Sequence, residues 1–222
     1  MLWDISVLKG YAVMGSDGHL GTVTDLLFDD ATWKMRWLVV NTRDWFPSHE
    51  VLLPVTAWGR LDISRRQFTV RLSRQHVEDS PSFEEHLPVS RQERIDLQCR
   101  QSRSVVGPRP GRSDPHLRSI EAVLGHRVHA GDAEIGHVDE ILVDSTDWAI
   151  RYLKVDTRGW RPDDRLLVPP RSIREIDWPG RAVYLATDPR ESTGSPYCPA
   201  VRSDDPHDEI LPAGGGISWI KS

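Results

Sequence analysis

Gly21-Thr-Val-Thr-Asp-Leu-Leu-Phe-Asp29 and, 115 positions later, Gly136-His-Val-Asp-Glu-Ile-Leu-Val-Asp144 are two versions of one segment. Each runs on into a second matched stretch, Trp33-Lys-Met-Arg-Trp-Leu-Val-Val-Asn-Thr-Arg43 and Trp148-Ala-Ile-Arg-Tyr-Leu-Lys-Val-Asp-Thr-Arg158. Extended outward, the match carries Asp4–Pro81 onto Ser119–Pro196 without a gap, with 22 identities in 78 positions. Trp45 and Pro47 fall on Trp160 and Pro162, and Pro54 falls on Pro169. A gapless self-match of this length means two copies of one small folding unit.

Each copy reads as all-β. Leu20–Asp29 and Lys34–Thr42 are long strands rich in β-branched and large apolar residues, with a turn at Asp29-Asp30. Gly10–Met14 precedes them and ends at Asp17-Gly18, a dipeptide suited to tight hairpins. Val51–Val55, Arg60–Ile63 and Gln67–Leu72 complete the set, and short strands at this spacing predict a small antiparallel barrel. A short helix closes each copy, capped by Ser73 in the first and Asp188 in the second, and Ser80-Pro81 and Ser195-Pro196 stop it. The expected organisation is a first barrel at 1–81, a linker at 82–118 with a helix over Arg91–Arg103, a second barrel at 119–198 and a flexible tail at 199–222.

Composition narrows the function classes. The 222 residues carry a net charge of −5 and a pI near 6.0, which argues against a generic grip on nucleic acid. Two cysteines cannot build a disulfide framework or a zinc site, so the expected setting is the reducing cytoplasm. No apolar run approaches the roughly 20 residues of a membrane span. Nine tryptophans are an excess, and two repeat pairs, Trp33 with Trp148 and Trp45 with Trp160, account for four of them.

The pattern Gly-x-Val-x-acid-apolar-Leu-x-Asp, then Trp-x-apolar-Arg-aromatic-Leu, then Thr-Arg-x-Trp-x-Pro resembles the PRC-barrel domain, over about 4–81 and 119–196. That domain is known from the cytoplasmic part of the photosynthetic reaction centre H subunit and from the C-terminal half of a bacterial ribosome maturation factor. Asp79-Ser80-Pro81 and Pro88-Val-Ser-Arg-Gln92 resemble tandem PRC-barrel proteins of bacteria. The resemblance implies a barrel of about six strands per copy and implies no enzyme. The chain departs from relatives at Leu97-Gln-Cys-Arg-Gln-Ser-Arg103, where they carry an aromatic-rich segment, and from the H subunit in having no membrane-spanning helix.

No catalytic, metal or cofactor-binding residues are expected. His126 and His129 are three apart on a strand and point to opposite faces, and the counterparts of His126, His129 and His137 are Tyr11, Met14 and Thr22. Asp25, Asp29, Asp30, Glu140 and Asp144 lack the alternating acid loop that wraps calcium, and Asp29 and Asp144 suit turn-stabilising hydrogen bonds instead. Gly15-Ser-Asp-Gly-His-Leu-Gly21 matches no phosphate-binding loop.

Two structural charge pairs are expected. A two-residue turn at Asp30-Ala31 sets Asp25 opposite Arg36, and Glu140 opposite Arg151, on the inward face. The same alternation turns Met35, Trp37 and Val39 outward, against Ile150, Tyr152 and Lys154 in the second copy. That apolar row is expected to be covered by packing of the two barrels, or else by a partner. The Trp45 and Trp160 corners read as barrel-end covers, with a peptide-binding corner as the rival. The linker is basic, with Arg91, Arg94, Arg100, Arg103, Arg109 and Arg112 against Glu93 and Asp96.

The resulting expectation is a non-catalytic bacterial adaptor or assembly scaffold, with no small-molecule substrate. Its partner is a protein or a second copy, met through Met35, Trp37, Val39, Tyr152, Trp45 and Trp160. Two alternatives are carried beside it: a peripheral membrane role through the basic linker, and a ribosome or RNA association.

Overall fold

The computed structural model describes residues 2–43, 50–79, 114–157, 164–186 and 218–221. They are mostly strand, as an all-β fold requires. The chain divides into two compact units, and the division cuts across the sequence repeat. The first unit is Val7–Glu121; the second is Met1–Ser6 together with Ala122–Ser222.

In the first unit the strands are β2 (Ala12–Gly15), β3 (Gly18–Asp29), β4 (Lys34–Asn41), β5 (Glu50–Pro54), β6 (Trp58–Asp62), β7 (Gln67–Val70) and β8 (Leu117–Ser119). They form one curled sheet in the order β5-β4-β3-β2-β7-β6, and β8 pairs with β3. Long β3 organises it. One edge takes β4; the other takes β2 at residues 18–22 and β8 at residues 27–29. Gly21, at φ 150°, lets β3 bend against β4, because a Cβ there would sit 2.2 Å from the Asn41 carbonyl oxygen. Phe28, Phe68, Leu20, Leu38 and Leu53 fill the interior at full burial, each side chain contributing about 1.5–3 kcal/mol. Trp58 stands edge-on to Phe68 at 5.5 Å and donates its indole N–H to the Leu53 carbonyl. The short helix α1 (Arg74–Glu78) carries Ser73 as N-cap, whose hydroxyl accepts from the His76 N–H.

The second unit repeats this plan with β9 (Arg127–Ala130), β10 (Ala133–Asp144), β11 (Ile150–Asp156), β12 (Asp164–Val168), β13 (Ile173–Asp177) and β14 (Ala182–Leu185). Its order is β13-β14-β9-β10-β11-β12, and the strand paired with β10 is β1 (Leu2–Asp4). Gly136 repeats Gly21, with the Asp156 carbonyl where Asn41 stood.

β1 and β8 occupy equivalent positions under the 115-residue shift, so the copies exchange their first strands. Residues 2–4 complete the sheet of the second unit and residues 117–119 complete that of the first. The expected boundaries therefore change at both ends. Residues 1–6 leave the first barrel, and residues 117–121 become part of it. The tail also differs: β15 (Ser218–Lys221) pairs antiparallel with β12. Ser-Trp-Ile-Lys is a short β-prone run, and an edge strand offers it a free ladder. Pairing is antiparallel except for β2 with β7 and β9 with β14. No tight turn joins those strands, so nothing imposes an antiparallel direction on them. The expected linker helix and the Asp188-capped helix lie outside the described residues.

Candidate functional site: two strand junctions and one outward stack

The turn between the two long strands decides where every charged side chain goes. It is longer than a two-residue hairpin: Asp29 pairs with Lys34, so four residues intervene. Trp33 closes it at φ 56°, with its N–H on the Asp29 carbonyl, and Trp148 repeats this at φ 54°. Asp29 Oδ1 accepts the N–H groups of Ala31 and Thr32, and Asp144 Oδ1 accepts that of Thr146. A bulge then shifts the ladder, because Leu27 and Phe28 face Trp37 and Met35 and leave Arg36 as the extra residue. Arg151 is the extra residue in the second copy.

The longer turn and the bulge overturn both expected charge pairs. Asp25 stands opposite Val39, not Arg36, and Glu140 stands opposite Lys154, not Arg151. Arg36 instead reaches Asp29 at 3.1 Å, and Arg151 reaches Asp144 at 3.1 Å and Asp147 at 2.8 Å. Asp144 is held at about 2: burial pushes it up, but the Thr146 hydrogen bonds and the Arg151 guanidinium outweigh that. Arg36 and Arg151 are exposed, so these are turn clasps at the surface.

Most of the expected interaction row is covered. Met35 is 1% exposed and Val39 is fully buried. Val39 packs with Leu27, Leu52 and Leu117, and half-buried Trp37 lies against that cluster. The cover comes from β8, the strand received from the other copy. Tyr152 is half-buried. Trp45, Trp160 and the six linker arginines lie outside the described residues.

Where β8 meets β3, a half-buried carboxylate and a nearly buried ion pair sit side by side. Ser119 donates its hydroxyl to Asp25 Oδ2 at 2.5 Å, while Asp25 Oδ1 accepts the Leu26 N–H at 2.8 Å and the Glu121 N–H at 3.3 Å. Burial pushes Asp25 up to about 6; the hydrogen bonds hold it back in part, and the Glu121 charge adds to the rise. Arg118 Nε lies 2.5 Å from Asp30 Oδ2, with side chains only 12% and 13% exposed, and His116 Nδ1 lies 2.8 Å from Asp30 Oδ1. Lys9 binds Glu121 at the surface beside this junction.

The matching junction of the second unit is built differently. Asp4, the counterpart of Ser119, is pushed up to about 6 by burial and by the Glu140 charge, against the Ser6 hydrogen bonds and the Lys154 charge. Lys154 Nζ lies 2.7 Å from Glu140, and Ser6 donates its N–H to Asp4 at 2.9 Å. Here a lysine binds Glu140, and Asp4 lies within reach of both charges, where the first unit has valine, serine and a single carboxylate. Asp4, Lys154, Asp30, Arg118 and Ser119 were not among the expected site residues. The signal for them is a set of compensating differences between the copies: Asp4 for Ser119, Trp3 for Arg118, Val39 for Lys154 and Asp30 for Ser145.

The second unit also carries a stack with no counterpart in the first. The His129 ring stacks on Tyr184, with centroids 5.1 Å apart and the planes inclined by 24°, and the Arg174 guanidinium sits 5.8 Å over Tyr184. Arg174 is exposed and the two rings are half-buried. The equivalent positions are Met14, Thr69 and Gly59, where the Thr69 hydroxyl bonds the Arg60 backbone instead. Nearby, His126 is 2% exposed, 5.8 Å edge-on from Trp178, and neither ring nitrogen has a partner among the described residues. Burial and the Arg181 charge push it down to about 4, against the pull of Asp177. Among the described residues no group of three or more His, Cys, Asp or Glu side chains could hold a metal ion. Among them, too, no helix is long and apolar enough to cross a membrane.

Comparison with known proteins agrees with the all-β architecture. The PRC-barrel domain model matches residues 4–77, so a PRC-barrel domain lies at the start of the chain. Its first residues, Asp4–Ser6, belong to the second compact unit and the remainder to the first. An uncharacterized protein of Deinococcus radiodurans is 32% identical over 136 residues, which are 57% of this chain and 48% of that one. The chain thus spans about half the length of that relative.

Proposed function

We propose that the chain is a non-catalytic scaffold of two PRC-barrels that works through protein contacts. The second barrel is inferred from the element-for-element repetition of β2–β7 in β9–β14 and from the 22 shared residues. PRC-barrel domains are often linked to protein interaction or assembly and are generally non-catalytic.

The observation that carries the reading is divergence on a constant frame. The strands and turn clasps repeat, while one outward face changes from Met14, Thr69 and Gly59 to His129, Tyr184 and Arg174. Arginine and tyrosine are favoured anchors of protein interfaces, and a pre-stacked pair loses little side-chain entropy on binding. A contact of this kind fits a surface on which, among the described residues, Val7 is the exposed large hydrophobic side chain, at 46%.

The test is in-cell cross-linking with mass spectrometry on the full chain and on an R174G/Y184T variant. A partner, or a second copy, cross-linked through the 174–184 region in the wild type and lost at least ~10-fold in the variant supports the reading. Equal capture by both proteins, or no specific cross-link at that face, removes it.

A further inference from the structure

We propose that the polar residues at the two junctions select the exchanged strand pairing over the alternative in which each copy closes with its own first strand. The repeat itself cannot make that choice. β1 and β8 begin with the same residue, Leu2 and Leu117, and the backbone ladder fits either strand on either edge. The discrimination must come from the side chains that differ.

If residues 2–4 paired with β3, Asp4 would take the position of Ser119. Ser119 lies 2.5 Å from Asp25, so two carboxylates would meet in a partly buried place. In the second unit Lys154 binds Glu140 at 2.7 Å and its charge offsets part of the repulsion on Asp4, whereas its counterpart in the first unit is Val39. Like charges that close, with the neighbouring Lys9 already paired to Glu121, resist joint ionisation and oppose the pairing. Trp3 would also replace Arg118, leaving Asp30 without its guanidinium in a site that is about seven-eighths buried. Removing one partner of such a pair costs far more than the pair contributes.

The converse placement is milder. Residues 117–119 on β10 would set Ser119 beside Glu140 and Lys154, and Arg118 at Ser145, where no acid awaits it. The selection is therefore one-sided: β3 rejects the strand of its own copy, and β10 takes what remains. A repulsive element of this kind is how specificity is built when attractive contacts alone would allow both outcomes. The edge of β3 thereby accepts an extended segment of the form aliphatic–Arg–Ser, with Leu117 filling the cluster of Leu27, Val39 and Leu52.

The experiment is amide hydrogen exchange on the full-length chain carrying S119D, D25N or both. With S119D at pH 7.5, protection at Leu27–Asp29 and Leu117–Ser119 should fall about 30-fold or more while β9–β14 is unaffected. Adding D25N should restore most of it, because one carboxylate then meets an amide. Lowering the pH to 5 should restore S119D in part, as the two carboxyls come to share a proton; Glu121 and Lys9 flank the site and remain paired with each other. Protection unchanged by S119D, or losses that simply add in S119D/D25N and ignore pH, would overturn the proposal. If S119D fails to fold at pH 7.5, folding at pH 5 or with D25N supports the proposal, and failure under all conditions counts against it.

Discussion

The two units solve one problem with different chemistry. Each must hold a three-residue strand, received from the other copy, against the far end of its longest strand. The first does so with a hydroxyl on a lone half-buried carboxylate and a nearly buried arginine–aspartate pair. The second pairs a lysine with one carboxylate and leaves a second carboxylate beside them on the Ser6 hydrogen bonds. The same contrast recurs at the other end of the long strand. Arg66 lies over the Tyr11 ring at 5.3 Å, a favourable placement of a cation on a π face. Its counterpart Arg181 acts on His126, whose burial keeps the imidazole neutral with the Arg181 charge adding to the effect. The lesson is that duplication kept the backbone ladder and let the polar fittings drift apart, so that the units respond differently to the same perturbation.

The largest expected difference comes from the anchor of each received strand. Leu117 is buried in the Leu27–Val39–Leu52 cluster, whereas Leu2 is half-buried. Leu117→Ala should destabilise the first unit by about 2–5 kcal/mol, from lost burial and the cavity left behind. Leu2→Ala should cost the second unit less than half of that. Urea titration followed by hydrogen exchange separates the units, and equal losses would mean that the two strands are held alike.

Acid should come next, steadying the first unit while two opposed groups leave the second nearly level. Asp25 is raised from its usual 3.8 to about 6, so its folded form is favoured at low pH and that stability is lost as pH rises through 6. Acidifying from pH 7 to 5 should therefore steady the first unit by roughly 1–2 kcal/mol, and Asp25→Asn should flatten the dependence. His126 is lowered from 6.5 to about 4, so its contribution is present above 6.5 and lost as pH falls towards 4. That opposes the Asp4 term in the second unit, and His126→Tyr, which restores the residue of the first copy, should leave the Asp4 trend alone. Thermal melts at pH 7, 6 and 5 would show it; parallel pH profiles for both units would break the comparison.

The smallest effect belongs to the feature that the units share. Arg36 is 44% exposed on its turn clasp, so Arg36→Ala should change stability by less than about 1 kcal/mol. Arg151→Ala, which loses two carboxylate contacts, should cost only slightly more, and a loss above ~2 kcal/mol in either would mean that the clasp is not a surface pair.

How far the sequence discloses this molecule follows from what a repeat can encode. Strand positions are legible because apolar runs and turn residues recur at fixed spacing, so β2–β7 lie close to the expected segments. Register is not legible, because Trp33 and Trp148 close the turn at positive φ, where bulky residues are rare, and because bulges at Arg36 and Arg151 break the alternation. Val39 keeps the face it shares with Trp37, and Leu117 of β8 buries it there, a cover that alternation along one strand cannot disclose. The strand exchange is invisible to self-comparison for a deeper reason. A shift of 115 maps β1 onto β8 whichever edge each one occupies, so only the residues that break the repeat carry the information.

The strand exchange is the central claim, and interstrand nuclear Overhauser contacts on the isotope-labelled full chain test it most directly. Contacts between the backbone protons of Leu117–Ser119 and Leu27–Asp29, and between those of Leu2–Asp4 and Leu142–Asp144, are the predicted result. Contacts from Leu2–Asp4 to Leu27–Asp29 would show each copy closing with its own strand and would contradict the account.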